Sequence, residues 1–271
     1  MTRRGWFLPI TATLGFVFLY APIISLVVFS FNANRLVTVW SGFSLNAYGQ
    51  LFADPQMLGA AWLSLRIAAI SATIALVLGT LCAIALVRFQ RFRGRTLLQA
   101  TVSAPLVMPD VITGLSLLLL FVAMEGLFGW PAGRGMLTII LAHSTFCMAY
   151  VTVVVQSRLS DLDLSLEEAA MDLGATPVRV FFDITLPIIA PALVSGWLLG
   201  FTLSLDDLVI ASFVSGPGSS TLPMVIFSKI RLGVSPDVNA LATIIIGVVA
   251  LGVVGGTALQ WRNRFGRKRP A

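Results

Sequence analysis

Six stretches of this sequence each run for about twenty residues or more with almost no charge, and that limits its fold more than any other feature. They lie at about 6–31, 60–87, 97–124, 135–157, 188–214 and 238–261, each long enough for a helix to cross a hydrocarbon core. Hydrophobic residues make up 57% of the 271 and charged residues 11%, where a soluble domain carries roughly a quarter charged. One soluble core could not hide that much apolar surface. In lipid, every backbone N–H and C=O must find its partner inside the chain, and a helix supplies that. The predicted fold is all-α: a polytopic membrane protein with six transmembrane helices in a single domain over 1–271.

The arginines orient the chain. Arg3 and Arg4 precede span one; Arg88, Arg91, Arg93 and Arg95 fill the link between spans two and three; Arg262, Arg264, Arg267, Lys268 and Arg269 form the tail. With an even number of spans all three clusters share one side, so both termini are predicted to be cytoplasmic. The opposite loops are sparse: Arg35 and Asp54, then Glu125 and Arg134, then Lys229, Arg231 and Asp237. Trp6, Trp40, Trp130 and Trp261 fall near predicted interfaces, where amphipathic rings settle. The net charge of +6 is thereby assigned to lipid rather than to nucleic acid. The apolar run after Arg4 exceeds the roughly 7–15 residues of a signal peptide's core, and no small-x-small site follows, so it is read as a retained span. Cys82 and Cys147 lie inside apolar runs and read as small packing residues.

The loop at about 158–187 breaks the pattern, being cytoplasmic by topology yet acidic. It holds Asp161, Asp163, Glu167, Glu168, Asp172 and Asp183 against Arg158 and Arg179. Ser165 and Glu168 have capping-box spacing, Leu166, Ala169, Ala170 and Leu173 recur at helical spacing, and Gly174 is a helix stop. Thr176 and Pro177 read as the cap and first residue of a second short helix. Small alanines let a partner groove approach the backbone, and the flanking carboxylates offer ion pairs at its rim. An amphipathic helix resting on the membrane would not be acidic, because the cytoplasmic leaflet is itself negative.

Glu168, Ala169, Ala170, Gly174, Ile184, Leu186 and Pro187 match, at every spacing, the EAA motif of type I ABC-importer permeases, and the chain resembles that family over nearly its whole length. The stretches 104–114 (APLVMPDVITG), 201–210 (FTLSLDDLVI) and 233–243 (GVSPDVNALAT) resemble its polyamine branch. The resemblance implies a type I permease fold in a bacterial inner membrane. It also implies a coupling role for Glu167, Glu168, Ala169, Ala170, Asp172, Gly174 and Pro187 against an ATPase cleft. The implied partners are a second, non-identical permease, two ATPase subunits and a periplasmic polyamine-binding protein. No cofactor is expected in this chain; ATP and Mg would belong to the ATPase. In keeping with that, no Gly-x-x-x-x-Gly-Lys-Ser/Thr occurs to cradle phosphates.

Asp110, Asp206 and Asp207 fall within predicted spans, where an ionised carboxylate costs roughly 2.5–3.5 kcal/mol and usually faces a water-filled path. Pro105 and Pro109 weaken the helix before Asp110. Asp206 and Asp207 are about 100° apart on a helix, and Thr202, one turn before Asp206, adds a hydroxyl; Ser204 falls on another face. These five residues are the expected substrate pathway, suited to a diamine whose ammonium groups seek oxygen ligands. The alternative has the aspartates paired with Arg66 or a partner subunit. His143, the only histidine, reads as a hydrogen-bonded packing residue, and no serine–histidine–acid or metal constellation is visible. Gly196-x-x-x-Gly200 and Gly252-x-x-x-Gly256 have the spacing for close helix packing.

The leading expectation is an importer permease for a polyamine, putrescine before spermidine. The alternatives are a permease for another small cation, an ion-coupled carrier using Asp110 or Asp206, and an intramembrane enzyme built around His143. The acidic loop separates the permease readings from the carrier, which has no use for it, and no partner residues support the enzyme.

Overall fold

The structure is a computed structural model that describes residues 7–34, 39–89, 91–232 and 236–266. Arg3, Arg4, Trp6, Arg35, Arg267, Lys268, Arg269 and residues 233–235 lie outside these, as do the side chains of Trp261, Arg262 and Arg264. The described chain is helical, with one isolated antiparallel bridge between Asn32 and Phe43. It divides into two compact units, Gly59–Val225 and Met1–Leu58 with Ile226–Ala271.

The larger unit is built around α6 (Met136–Ser160), the most buried of the long apolar helices. Its faces meet α3 (Pro55–Arg88), α4 (Arg95–Val107) and α9 (Leu186–Asp206). Glycines let the helices approach. A Cβ at Gly79 would stand 2.9 Å from Val151 Cγ1 and 3.1 Å from the Met148 carbonyl. Gly196 and Gly200 turn to the same valine, and the Cys147 thiol donates to the Gly200 carbonyl at 3.3 Å. The pair at 196 and 200 therefore packs helix on helix, whereas a Cβ at Gly252 would meet nothing within 4 Å.

Two expected spans are interrupted. The run at 97–124 is two helices, α4 and α5 (Asp110–Phe128), because Met108 and Pro109 are extended. Pro109 has no N–H to donate, and the residue before a proline is pushed out of helical geometry. The run at 188–214 stops at Asp206, with Asp207 extended before α10 (Val209–Val214). At its other end it starts early: α8 (Pro177–Val180) passes through a π-helical turn, Phe181–Thr185, straight into α9. Among the described residues, five helices are long and apolar enough to cross a membrane, and Pro236–Gly252 is a shorter apolar helix.

In the smaller unit α1 (Phe7–Phe29) buries none of its residues, and α12 (Pro236–Gly266) packs on α1 and on α2 (Asn46–Phe52). In sequence between α10 and α12 comes a further helix, α11 (Leu222–Leu232). Lys229 in its last turn donates to Asp54 and Asp237, each at 2.6 Å. Asp54 also caps α3, accepting from the N–H groups of Gln56 and Met57. The Lys229 bond, helped by the two amides, holds the Asp54 carboxyl below its ordinary value of 3.8. Partial burial works against the Lys229 charge, but the bonds to Asp237 and Asp54 prevail and raise it.

A depressed carboxyl stabilises the fold fully above its unfolded value and loses that contribution as pH falls through its folded value. Amide protection at the start of α3, measured relative to the intrinsic exchange rate at each pH, is expected to hold above pH 3.8 and to fall below it. In Asp54→Asn the exchange should be faster at neutral pH and lose that acid step.

Candidate functional site

The acidic loop forms the helix its start and stop signals announce. α7 (Leu164–Asp172) is capped by Asp163, whose carboxylate accepts from the Ser165 N–H at 3.0 Å. The expected Ser165–Glu168 box is not used, because Ser165 is already inside the helix and the cap stands two residues earlier. The Ser165 backbone bond holds the Asp163 carboxyl below its usual value. At the far end Gly174 has φ +89°. Its N–H reaches the Met171 carbonyl at 2.9 Å, while that of Ala175 reaches Ala170 at 3.0 Å. That is the bond pair of a Schellman stop, which needs a residue free to be left-handed. Thr176 then caps α8 with Pro177 at its first position.

Around α7, Glu168, Ala169 and Asp172 are exposed, as are Leu166, Met171 and Leu173, and Leu173 is 89% exposed. Pro187 is the second residue of α9 and is exposed. Glu167 departs from expectation. Its side chain is only 15% exposed and turns inward, where Oε1 accepts from Arg88 Nη2 and from Thr185 Oγ1, both at 2.6 Å. It therefore does not stand on the outer rim with Glu168.

The two helix breaks make the second site. Asp110 is the first residue of α5, exposed, with no hydrogen bond or ion pair among the described residues. The last carbonyls of α4 end beside it in sequence, so a helix C-terminus and a carboxylate share the break, and both favour a cation. Asp206 likewise ends α9 and is exposed. Thr202, one turn earlier, is exposed and donates to the Leu198 carbonyl. α10 lies against α5, where a Cβ at Gly114 would come 2.7 Å from the Phe213 ring and 3.2 Å from Ile210 Cα. The two broken spans thus meet through a glycine.

Asp207 and Ser204 belong to a different arrangement. His143 on α6 is fully buried, with Nδ1 2.7 Å from Ser204 Oγ and Nε2 3.1 Å from Asp207. One neutral tautomer satisfies both bonds, with Ser204 donating to Nδ1 and Nε2–H donating to Asp207. The Asp207 carboxylate also accepts from the N–H groups of Ile210 and Ala211 and so holds the start of α10. The helix has ended before Asp207, so the two aspartates do not share one helical surface. Asp207 pairs with His143, and among the described residues no ion pair joins it to Arg66, which is exposed. A serine–histidine–acid array does exist, contrary to the sequence reading. Its serine is 5% exposed, with the hydroxyl already spent on the imidazole, so it braces the break rather than meeting a substrate.

A family model described as binding-protein-dependent transport system inner membrane component matches residues 75–264. The chain belongs to that family. As a member of this permease family it is a multi-pass membrane protein. It is 61% identical over 269 residues to the putrescine transport system permease protein PotI of Escherichia coli K12, covering 99% of this chain and 95% of that protein. It is 46% identical over 239 residues to the spermidine/putrescine transport system permease protein PotC of Haemophilus influenzae, covering 88% and 90%. A chain of a bacterial ABC transporter that imports the acidic polysaccharide alginate superposes with a TM-score of 0.73 at 19% identity, covering 95% of this chain and 98% of that one. The likeness places the fold among ABC-transporter permeases of type I.

The histidine network generates a stability prediction. Replacing His143 by Leu leaves the buried Ser204 hydroxyl without its imidazole partner, a cost of about 1–3 kcal/mol, and leaves the Asp207 carboxylate with only its two amide donors. Thermal unfolding of the purified permease in detergent should fall clearly for His143→Leu, and less for His143→Gln, which can still hydrogen-bond.

Proposed function

We propose that this chain is the membrane permease of an ATP-driven importer of small polyamines, putrescine first and spermidine second. It forms half of the translocation path and contributes no catalysis. The observation that carries the reading is α7, a capped helix that exposes Leu166, Glu168, Ala169 and Asp172, with Ala170 half-buried, and that is closed by Gly174. An ion-coupled carrier has no use for such a helix. The relatives named for putrescine and spermidine transport support the substrate. The arginine distribution supports cytoplasmic termini and a cytoplasmic α7.

In this reading a second, non-identical permease completes the path, two ATPase subunits bind ATP and Mg, and a periplasmic binding protein delivers the polyamine. Closure of the ATPase pair on ATP displaces α7, and the spans turn from inward-facing to outward-facing. Glu168 and Asp172 offer charge at the rim of the ATPase cleft, while Ala169 and Ala170 allow close approach. Along the path an ammonium group meets the Asp110 carboxylate with the end of α4, and the Asp206 carboxylate with the end of α9. Thr202 adds a hydroxyl one turn before Asp206. Weak, repeated contacts of this kind admit a dication and release it. Ser204 and Asp207 serve the path from behind, by holding its break in shape.

Two measurements test the proposal in proteoliposomes holding the whole complex. Labelled putrescine uptake should fall roughly ten- to hundredfold in Asp110→Asn and in Asp206→Asn, as expected for losing a charge-assisted bond worth about 1.5–3 kcal/mol. Normal uptake in both would remove them from the path. Gly174→Asp places a side chain where φ is +89°. It should abolish ATP-driven uptake while the complex still assembles; unchanged uptake would refute the coupling assignment.

A further inference from the structure

Glu167 stands one residue before the motif glutamate, and the inward turn of its carboxylate has no role in gripping an outside partner. We propose that Glu167 is a positioning residue of the transport cycle. Through one carboxylate oxygen it makes α7 move the ends of spans two and five as a single body. This rests on the reading of the chain as an ATP-driven permease.

The geometry is specific. Arg88 is the last residue of α3, and Thr185 is the last residue of the π-helical turn, directly before α9 begins at Leu186. Both donate to the same Glu167 oxygen at 2.6 Å. The ion pair is largely shielded, with side chains 19% and 15% exposed, so water competes with it far less than with a surface pair. α7 itself buries no residue, so apolar packing holds it only lightly. A cavity of about 300 Å³ opens beside the link, lined among others by Leu159, Met171, Val180 and Phe181. Where packing leaves that gap, a displacement of α7 reaches α3 and α9 through the charged bond.

The test uses the full complex in proteoliposomes and reads putrescine uptake per ATP hydrolysed, a ratio that a loss of folded complex does not change. Glu167→Gln should lower the ratio about tenfold, within the usual span of coupling between sites. Thr185→Val, which keeps the shape and removes the hydroxyl, should lower it by a smaller factor, while Thr185→Ser should keep it. Pairing Arg88→Glu with Glu167→Arg should restore part of what either change loses alone. An unchanged ratio in both Glu167→Gln and Thr185→Val would overturn the proposal and leave the permease reading intact. Uptake by the unaltered complex that proceeds without ATP would overturn the permease reading and this inference with it.

Discussion

Lipid offers a peptide group no hydrogen bond, and the arrangement of this chain depends on that constraint. Where the backbone stays helical, the condition is met locally, as along α6, which crosses without interruption and carries the core. Where it does not, something else must answer for the freed groups. At Pro109 the missing N–H removes one orphan donor, and the Pro109 carbonyl accepts from Ile112 and Thr113. At Asp207 the side chain takes over, accepting two amides of α10 and anchoring to a buried imidazole. The two breaks are thus tolerated for different reasons, one by subtraction and one by substitution.

The charges divide in the same way. Those with partners sit where elements must be held together: Lys229 between Asp54 and Asp237, Arg88 on Glu167, Asp207 on His143. Asp110, Glu168, Asp172 and Asp206 stand exposed at surfaces that α7 and the two breaks present. Held charges fix how those elements meet, and the exposed charges keep their access to water.

Much of this was legible in the sequence, because apolar length, arginine placement, glycine stops and Pro109 are local signals. The helix at 164–172 announced itself through Gly174 and Pro177, but Asp163 and Ser165 are both good caps, and only the backbone chose between them. The break at Asp207 carries no glycine or proline, so the run looked continuous. Glu167 and Glu168 differ by one residue and about 100° of helix; which one turns inward depends on Arg88, 79 residues away. The bonds from His143 to Ser204 and Asp207 span 61 and 64 residues and leave no local trace.

The π-helical turn at Phe181–Thr185 has a mechanical meaning. Because it carries α8 into α9 without a loop, Pro177–Asp206 is one uninterrupted shaft of 30 residues, about 45 Å long. One tip begins just beyond Gly174, and the other is the carboxylate of Asp206. A tilt applied at the near tip is carried toward the far one with no loop between them. Twist can be absorbed at the widened turn, with its looser bonding, and at Pro191, where a proline inside α9 removes one bond of the ladder.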